Sequence, residues 1–103
     1  MKTSIETWLK NQMGDDSALI NEIYEEYRTT TARLVGELKA ALAAHAEFAV
    51  TDRIAHTLKG NALMVGDQEL FEVVQGMRAQ MKDGDFVRAS ETMPQVEALQ
   101  KAL

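Results

Sequence analysis

Glu47-Phe48-Ala49-Val50-Thr51-Asp52-Arg53-Ile54-Ala55-His56-Thr57-Leu58-Lys59-Gly60-Asn61-Ala62-Leu63-Met64-Val65, followed by Gly66-Asp67, divides into two faces when its residues are set about 100° apart. Phe48, Thr51, Ile54, Ala55, Leu58, Ala62 and Val65 fall on one side, which predicts the buried stripe of an amphipathic helix running from about Glu47 to Val65. Ala49, Asp52, Arg53, His56, Lys59, Gly60 and Leu63 fall on the other side, so the histidine faces away from the core. Gly66 is the expected C-terminal stop, and Asp67 the cap of the next helix.

Working outward, the same period continues in both directions. Downstream, Leu70, Val73 or Val74, Met77 and Met81 predict a helix from Gln68 to about Lys82, and Lys82-Asp83-Gly84-Asp85 a turn. Phe86, Ala89, Met93, Val96, Leu99 and Leu103 mark a last helix, with a kink expected near Ser90 to Pro94 because proline cannot donate to the carbonyl four residues before it. Upstream, Asp15 or Asp16 can cap the longest helix, whose apolar positions run from Leu19 and Ile20 through Tyr24, Tyr27 and Leu34 to Leu42. Thr29-Thr30-Thr31 is its weak point, since β-branched side chains lose rotamer freedom in a helix, and its end is expected near His45. Thr3-Ser4-Ile5-Glu6 reads as a capping box with Thr3 as N-cap, opening a short helix that Gly14 ends after about Met13. No stretch alternates like a strand for long. The expected fold is therefore all-α, an up-and-down bundle of antiparallel helices occupying one domain over residues 1–103.

Composition excludes several classes of function. The formal net charge is −5 and the basic residues are scattered, which argues against a nucleic-acid surface. With no cysteine, there are no disulfides, thiolate metal sites or cysteine nucleophiles. No apolar run has the length of a membrane span and no signal peptide is visible, so the cytoplasm is the expected compartment. A glycine-rich ATP loop is missing, no glutamate has a histidine three residues later, and His45 and His56 lie eleven apart, which disfavours a kinase or a histidine-rich metal site. Of the six methionines several sit at core spacing and are expected to fill gaps in the bundle.

His56, Lys59 and Gly60 remain. Residues three and four apart are neighbours on a helix, so an imidazole, a cation and a bare stretch of backbone share one small surface. An exposed imidazole is largely neutral and nucleophilic near neutral pH, and lysine is a compact point charge suited to phosphate oxygens. A glycine within a helix costs roughly 1 kcal/mol relative to alanine, which is intelligible if another protein must approach the backbone. Phosphoryl transfer relies chiefly on such positioning and charge.

The segment Ala55-His56-Thr57-Leu58-Lys59-Gly60-Asn61-Ala62, followed by Gly66, resembles the signature of histidine-containing phosphotransfer (HPt) domains, the intermediates of multistep phosphorelays. Chain length and helix order extend the likeness, which implies an antiparallel four-helix bundle with an additional short N-terminal helix. It also implies that His56 exchanges a phosphoryl group with the aspartate of a response-regulator receiver domain, that Lys59 stabilises the phosphate, and that Gly60 permits close approach. The metal would belong to the receiver, so no cofactor is expected in this chain. A hybrid sensor histidine kinase is a further candidate partner, and the chain is expected to be a monomer and a carrier without kinase activity of its own.

If the third and fourth helices reverse about Gly66-Asp67, Arg78 should lie level with His56, with Gln75 and Lys82 as alternatives. The family places a polar side chain from this helix near the histidine, which would orient the ring through Nδ1 and leave Nε2 to react. Asn61 and the apolar Leu63-Met64-Val65 depart from the family's usual residues and bear on partner choice. Leu63 and Ala49, with Asp52 and Arg53 beside them, form a candidate docking surface. Two competing expectations are a receiver- or kinase-binding module that no longer carries phosphate, and the phosphoacceptor segment of a larger kinase. The start at Met1 and the absence of a linker after the last helix favour a free-standing protein.

Overall fold

In a computed structural model describing residues 1–103 the chain forms five helices and no strand. These are α1 (Thr3–Met13), α2 (Ser17–Ala43), α3 (Phe48–Val65), α4 (Gln68–Lys82) and α5 (Phe86–Lys101). α2 packs on α3, α3 on α4, α4 on α5, and α5 back on α2, which closes a four-helix bundle, while α1 lies against α2 and α3.

The three reversals that build the bundle share one backbone device. At the end of α2, α3 and α4 a residue with positive φ follows the helix: His45 at 53°, Gly66 at 74° and Gly84 at 80°. In each case the next amide reaches back to a carbonyl five residues earlier: Ala46 N to Ala41 O at 3.0 Å, Asp67 N to Ala62 O at 2.9 Å, and Asp85 N to Gln80 O at 2.9 Å. This double-bonded ending satisfies the orphan carbonyls of the last turn. Asp67 and Asp85 then accept a hydrogen bond from the first turn of the following helix, as Asp16 does for α2. His45 takes a position that glycine usually fills, which explains why the end of α2 lacks a glycine signal, although the break falls at the expected place.

Some local expectations are corrected. The helix α1 starts with Lys2, not Thr3, as N-cap, and no side chain caps it. Thr3 is already helical, and the Glu6 carboxylate accepts from Lys10 Nζ at 2.8 Å instead of reaching back to the N-terminus. Phe48, expected in the core, is 43% exposed because it is the first residue of α3, at the end of the bundle, where its neighbours cover only part of the ring. Elsewhere the helices run over the expected residues, α2 passing through Thr29-Thr30-Thr31 and α5 through Pro94 as single helices.

Twenty apolar side chains form one continuous core. The α3 stripe of Ala55, Leu58, Ala62 and Val65 lies within it, as do Val74, Met77 and Met81 from α4. Three of the six methionines, Met77, Met81 and Met93, are buried there. α1 adds Ile5 and Leu9 to the same core and is fastened by two polar contacts. Trp8 Nε1 donates to Met64 O at 2.9 Å, on the last turn of α3. Lys2 Nζ donates to Asp67 Oδ1 at 3.3 Å. Asp67 is buried, and its other oxygen accepts from Tyr27 Oη at 2.6 Å, so one carboxylate joins α1, α2 and the start of α4. Desolvation, and then the Asp67 carboxylate, push the Tyr27 hydroxyl well above the ordinary phenol range.

Candidate functional site

The buried stripe of α3 turns its opposite face outward. His56 stands at the middle of this 18-residue helix and is exposed. It has no hydrogen-bond partner within the protein, and it lines none of the surface grooves. The largest of these, about 650 Å³, lies at the bundle end between His45, Phe48 and Phe86. The imidazole therefore stands outside every groove of the surface. A small substrate would find no walls there, whereas a protein with a concave site could close over it.

One turn on, Lys59 is half-buried and Gly60 leaves the backbone bare. A methyl group built on Gly60 would meet no atom within 4 Å, so packing inside the protein does not require glycine at this position. Six ion pairs engage Lys2, Lys10, Arg28, Arg33, Lys39 and Arg78, which leaves Arg53 and Lys59 on α3, Lys82 on α4, and Arg88 and Lys101 on α5 unpaired. The helix face around His56 thus carries free cations on a protein of net charge −5. Such a local excess favours an anionic ligand or an acidic partner surface.

Arg78 comes from α4, as expected, yet it meets Asp52 rather than His56. Its Nε donates to Asp52 Oδ1 at 2.8 Å and its Nη2 to Oδ2 at 3.1 Å, a bidentate pair in which each side chain is 24% exposed. The partner lies one helical turn before the expected one on α3: Asp52 precedes His56 by four residues, and its carboxylate matches the guanidinium fork. The Arg78 guanidinium holds the Asp52 carboxyl below its ordinary value, with smaller contributions in the same direction from His56 and Lys59. Gln75 and Lys82 are exposed and line a groove of about 460 Å³ with Phe48, Asp52, Arg78 and Ala79.

Toward the other end of α3, Leu63 is 53% and Met64 75% exposed. Leu63 follows His56 by seven residues, so it lies on the same face roughly 10 Å along the axis. Trp8 of α1, 40% exposed, lines a small groove with Leu63 and Gly66. A methyl group on Gly66 would fall on Trp8 Cβ and within 2.6 Å of Cγ, so this glycine is required both by its positive φ and by the indole. Ala49 and Arg53 are exposed on the first half of the same helix.

Two features escaped the sequence reading. The Asp52–Arg78 pair had a signal, since a carboxylate is a better match for a guanidinium than an imidazole is. The Trp8 contact with α3 had none, because its partner is a backbone carbonyl 56 residues away.

The four-helix bundle thus presents an exposed mid-helix histidine, a lysine one turn on and a bare glycine beside it on one outward face. The Hpt domain family model matches residues 22–103, and the chain belongs to that family. No curated protein and no solved structure gives a significant match. Hpt domains take part in histidine phosphotransfer within phosphorelays, as carriers and not kinases, and interact with receiver domains and kinases. The matched segment contains α3, α4 and α5 entirely and leaves α1 outside.

Proposed function

We propose that this protein carries a phosphoryl group reversibly on His56 between the aspartates of response-regulator receiver domains. The observation that carries the reading is the placement of His56: exposed at the midpoint of a rigid helix, outside every groove, with a free lysine and an open glycine one turn away. Half of an active site is present, and the partner brings the concave half.

In the forward step the Nε2 lone pair attacks phosphorus, with the ring proton on Nδ1. The N–P bond forms as the P–O bond to the partner's aspartate breaks, and the bonding electrons leave with that carboxylate. The Nδ1 proton then exchanges with water, and the reverse step regenerates free imidazole and phosphoaspartate. Lys59 offsets charge on the phosphoryl oxygens, and Gly60 lets the partner's surface approach the helix to van der Waals distance. Leu63 and Ala49, with Arg53 between them, supply docking contacts on the same face, and Trp8 extends the apolar part. Gln75 and Lys82 flank the approach from α4, and Arg78 supports it through Asp52.

No group of three or more His, Cys, Asp or Glu side chains is placed to hold a metal ion, and no helix is long and apolar enough to cross a membrane. The proposed carrier draws its metal from the receiver. All five helices contribute to one core, which supports one functional unit over residues 1–103.

Incubation with a phosphorylated receiver tests the reading. Transfer places an acid-labile label on wild-type protein that is missing from His56→Gln. Stable binding without label would instead make the chain an interaction module.

A further inference from the structure

The helix face around His56 has one feature that works against anion binding. Asp52 lies one turn before the histidine on the same face, so its carboxylate stands beside the place where a phosphoryl group would sit. The other charged α3 side chains on that face, Arg53 and Lys59, are cations without partners. An ion pair whose only task was to join α3 to α4 could lie elsewhere along their contact, and apolar residues join helices at least as well. The pair does lie here, and it turns one edge of the only arginine on α4 toward Asp52: Arg78 Nε and Nη2 donate to the carboxylate at 2.8 and 3.1 Å, while Nη1 makes no hydrogen bond within the protein.

We propose that Asp52 is a positioning residue that keeps the phosphoryl group on His56 readily transferable, by opposing its charge and by holding Arg78 one turn away from it. This rests on the assignment of His56 as phosphoacceptor. A phosphoryl group brings about −1.5 to −2 charges. With the pair intact, the carboxylate and guanidinium nearly cancel, and the phosphorylated state gains little from either. Without the carboxylate, Arg78 is released and the phosphoryl group faces cations alone. Without the arginine, an unpaired carboxylate faces the phosphoryl group directly.

The two partners of one ion pair therefore have opposite effects on the phosphorylated state, although their loss weakens the fold in the same direction. At roughly 6 Å in water-like surroundings, one charge acting on a phosphoryl dianion changes the equilibrium by roughly three- to tenfold. The experiment measures the equilibrium of phosphoryl transfer between a receiver and this protein, and the half-life of the phosphorylated form, for wild type, Asp52→Asn, Asp52→Glu and Arg78→Gln. Urea unfolding of each variant is followed in parallel. Asp52→Asn is expected to shift the equilibrium toward His56 by that factor and to lengthen the half-life. Arg78→Gln is expected to shift it toward the receiver by a similar factor, and Asp52→Glu to stay near wild type. Shifts of the same sign in Asp52→Asn and Arg78→Gln, tracking their loss of stability, would show that the pair is structural and overturn the proposal. Normal transfer in all variants with no shift would overturn it equally and leave the carrier function standing. Failure of wild type to take label would refute the carrier function, and the proposal with it.

Discussion

Replacing Gly60 with alanine separates what the fold needs from what the partner needs. In the isolated protein a β-carbon at this position meets no atom within 4 Å, and Gly60 lies inside α3, where its backbone is ordinary helix. Alanine removes the entropic cost of glycine without adding a clash, so the fold should gain about 1 kcal/mol. For a domain of this size that corresponds to a rise in Tm of about 4–8 °C. Transfer should respond in the opposite sense. The added methyl stands between His56 and Leu63 on the docking face and holds the incoming surface back by about an ångström, and misplacement on that scale can cost on the order of 100-fold in rate. Urea and thermal unfolding give the first quantity, and rapid-quench transfer from a phosphorylated receiver gives the second. A destabilised Gly60→Ala protein would refute the claim that the space is open. A stabilised protein with unaltered transfer would refute the claim that a partner approaches the backbone there.

Gly66→Ala should be far more costly than Gly84→Ala: both positions have positive φ, worth about 1–2 kcal/mol against alanine, but only Gly66 also collides with Trp8, so urea unfolding of the two variants should differ. Tyr27→Phe removes the only donor to Asp67 Oδ2 and leaves a buried carboxylate oxygen unpartnered, a loss of about 1.5–3 kcal/mol in unfolding free energy. The Asp52–Arg78 pair gives a pH dependence whose sign follows from the depressed Asp52 value: below its ordinary 3.8 the unfolded chain binds the proton more readily than the folded one. Its contribution is thus complete above that pH and fades as pH falls through the folded value, so Asp52→Asn should flatten this part of the acid-unfolding profile relative to wild type.

Much of this molecule was legible because its local signals agree. The α3 stripe of Thr51, Ala55, Leu58, Ala62 and Val65 is buried as its period required, and Gly14, Gly66 and Gly84 mark the ends of helices. The outward face of α3 was equally readable, since a helix that buries one side must present the other. Information was lost where partners come from distant segments. Helix order brought Arg78 to the His56 region of α3, but the side chain it binds there is set by charge and reach, and it takes Asp52, one turn before His56. Asp67 reads as a helix cap, which it is, but its union with Tyr27 and Lys2 depends on how α1 and α2 are packed. Thr3 misled because a threonine three residues before a glutamate fits the capping pattern wherever the helix begins, and here it begins one residue earlier.

In the proposed function one side chain on an open helix face accepts the phosphoryl group. The most direct measurement is to map the acid-labile phosphoryl group by peptide mass spectrometry after brief exposure to a phosphorylated receiver. The label is expected on the peptide containing His56, with His45, at the turn after α2, unmodified. A phosphoryl group on His45, or none on either histidine despite complex formation, would contradict the proposed function.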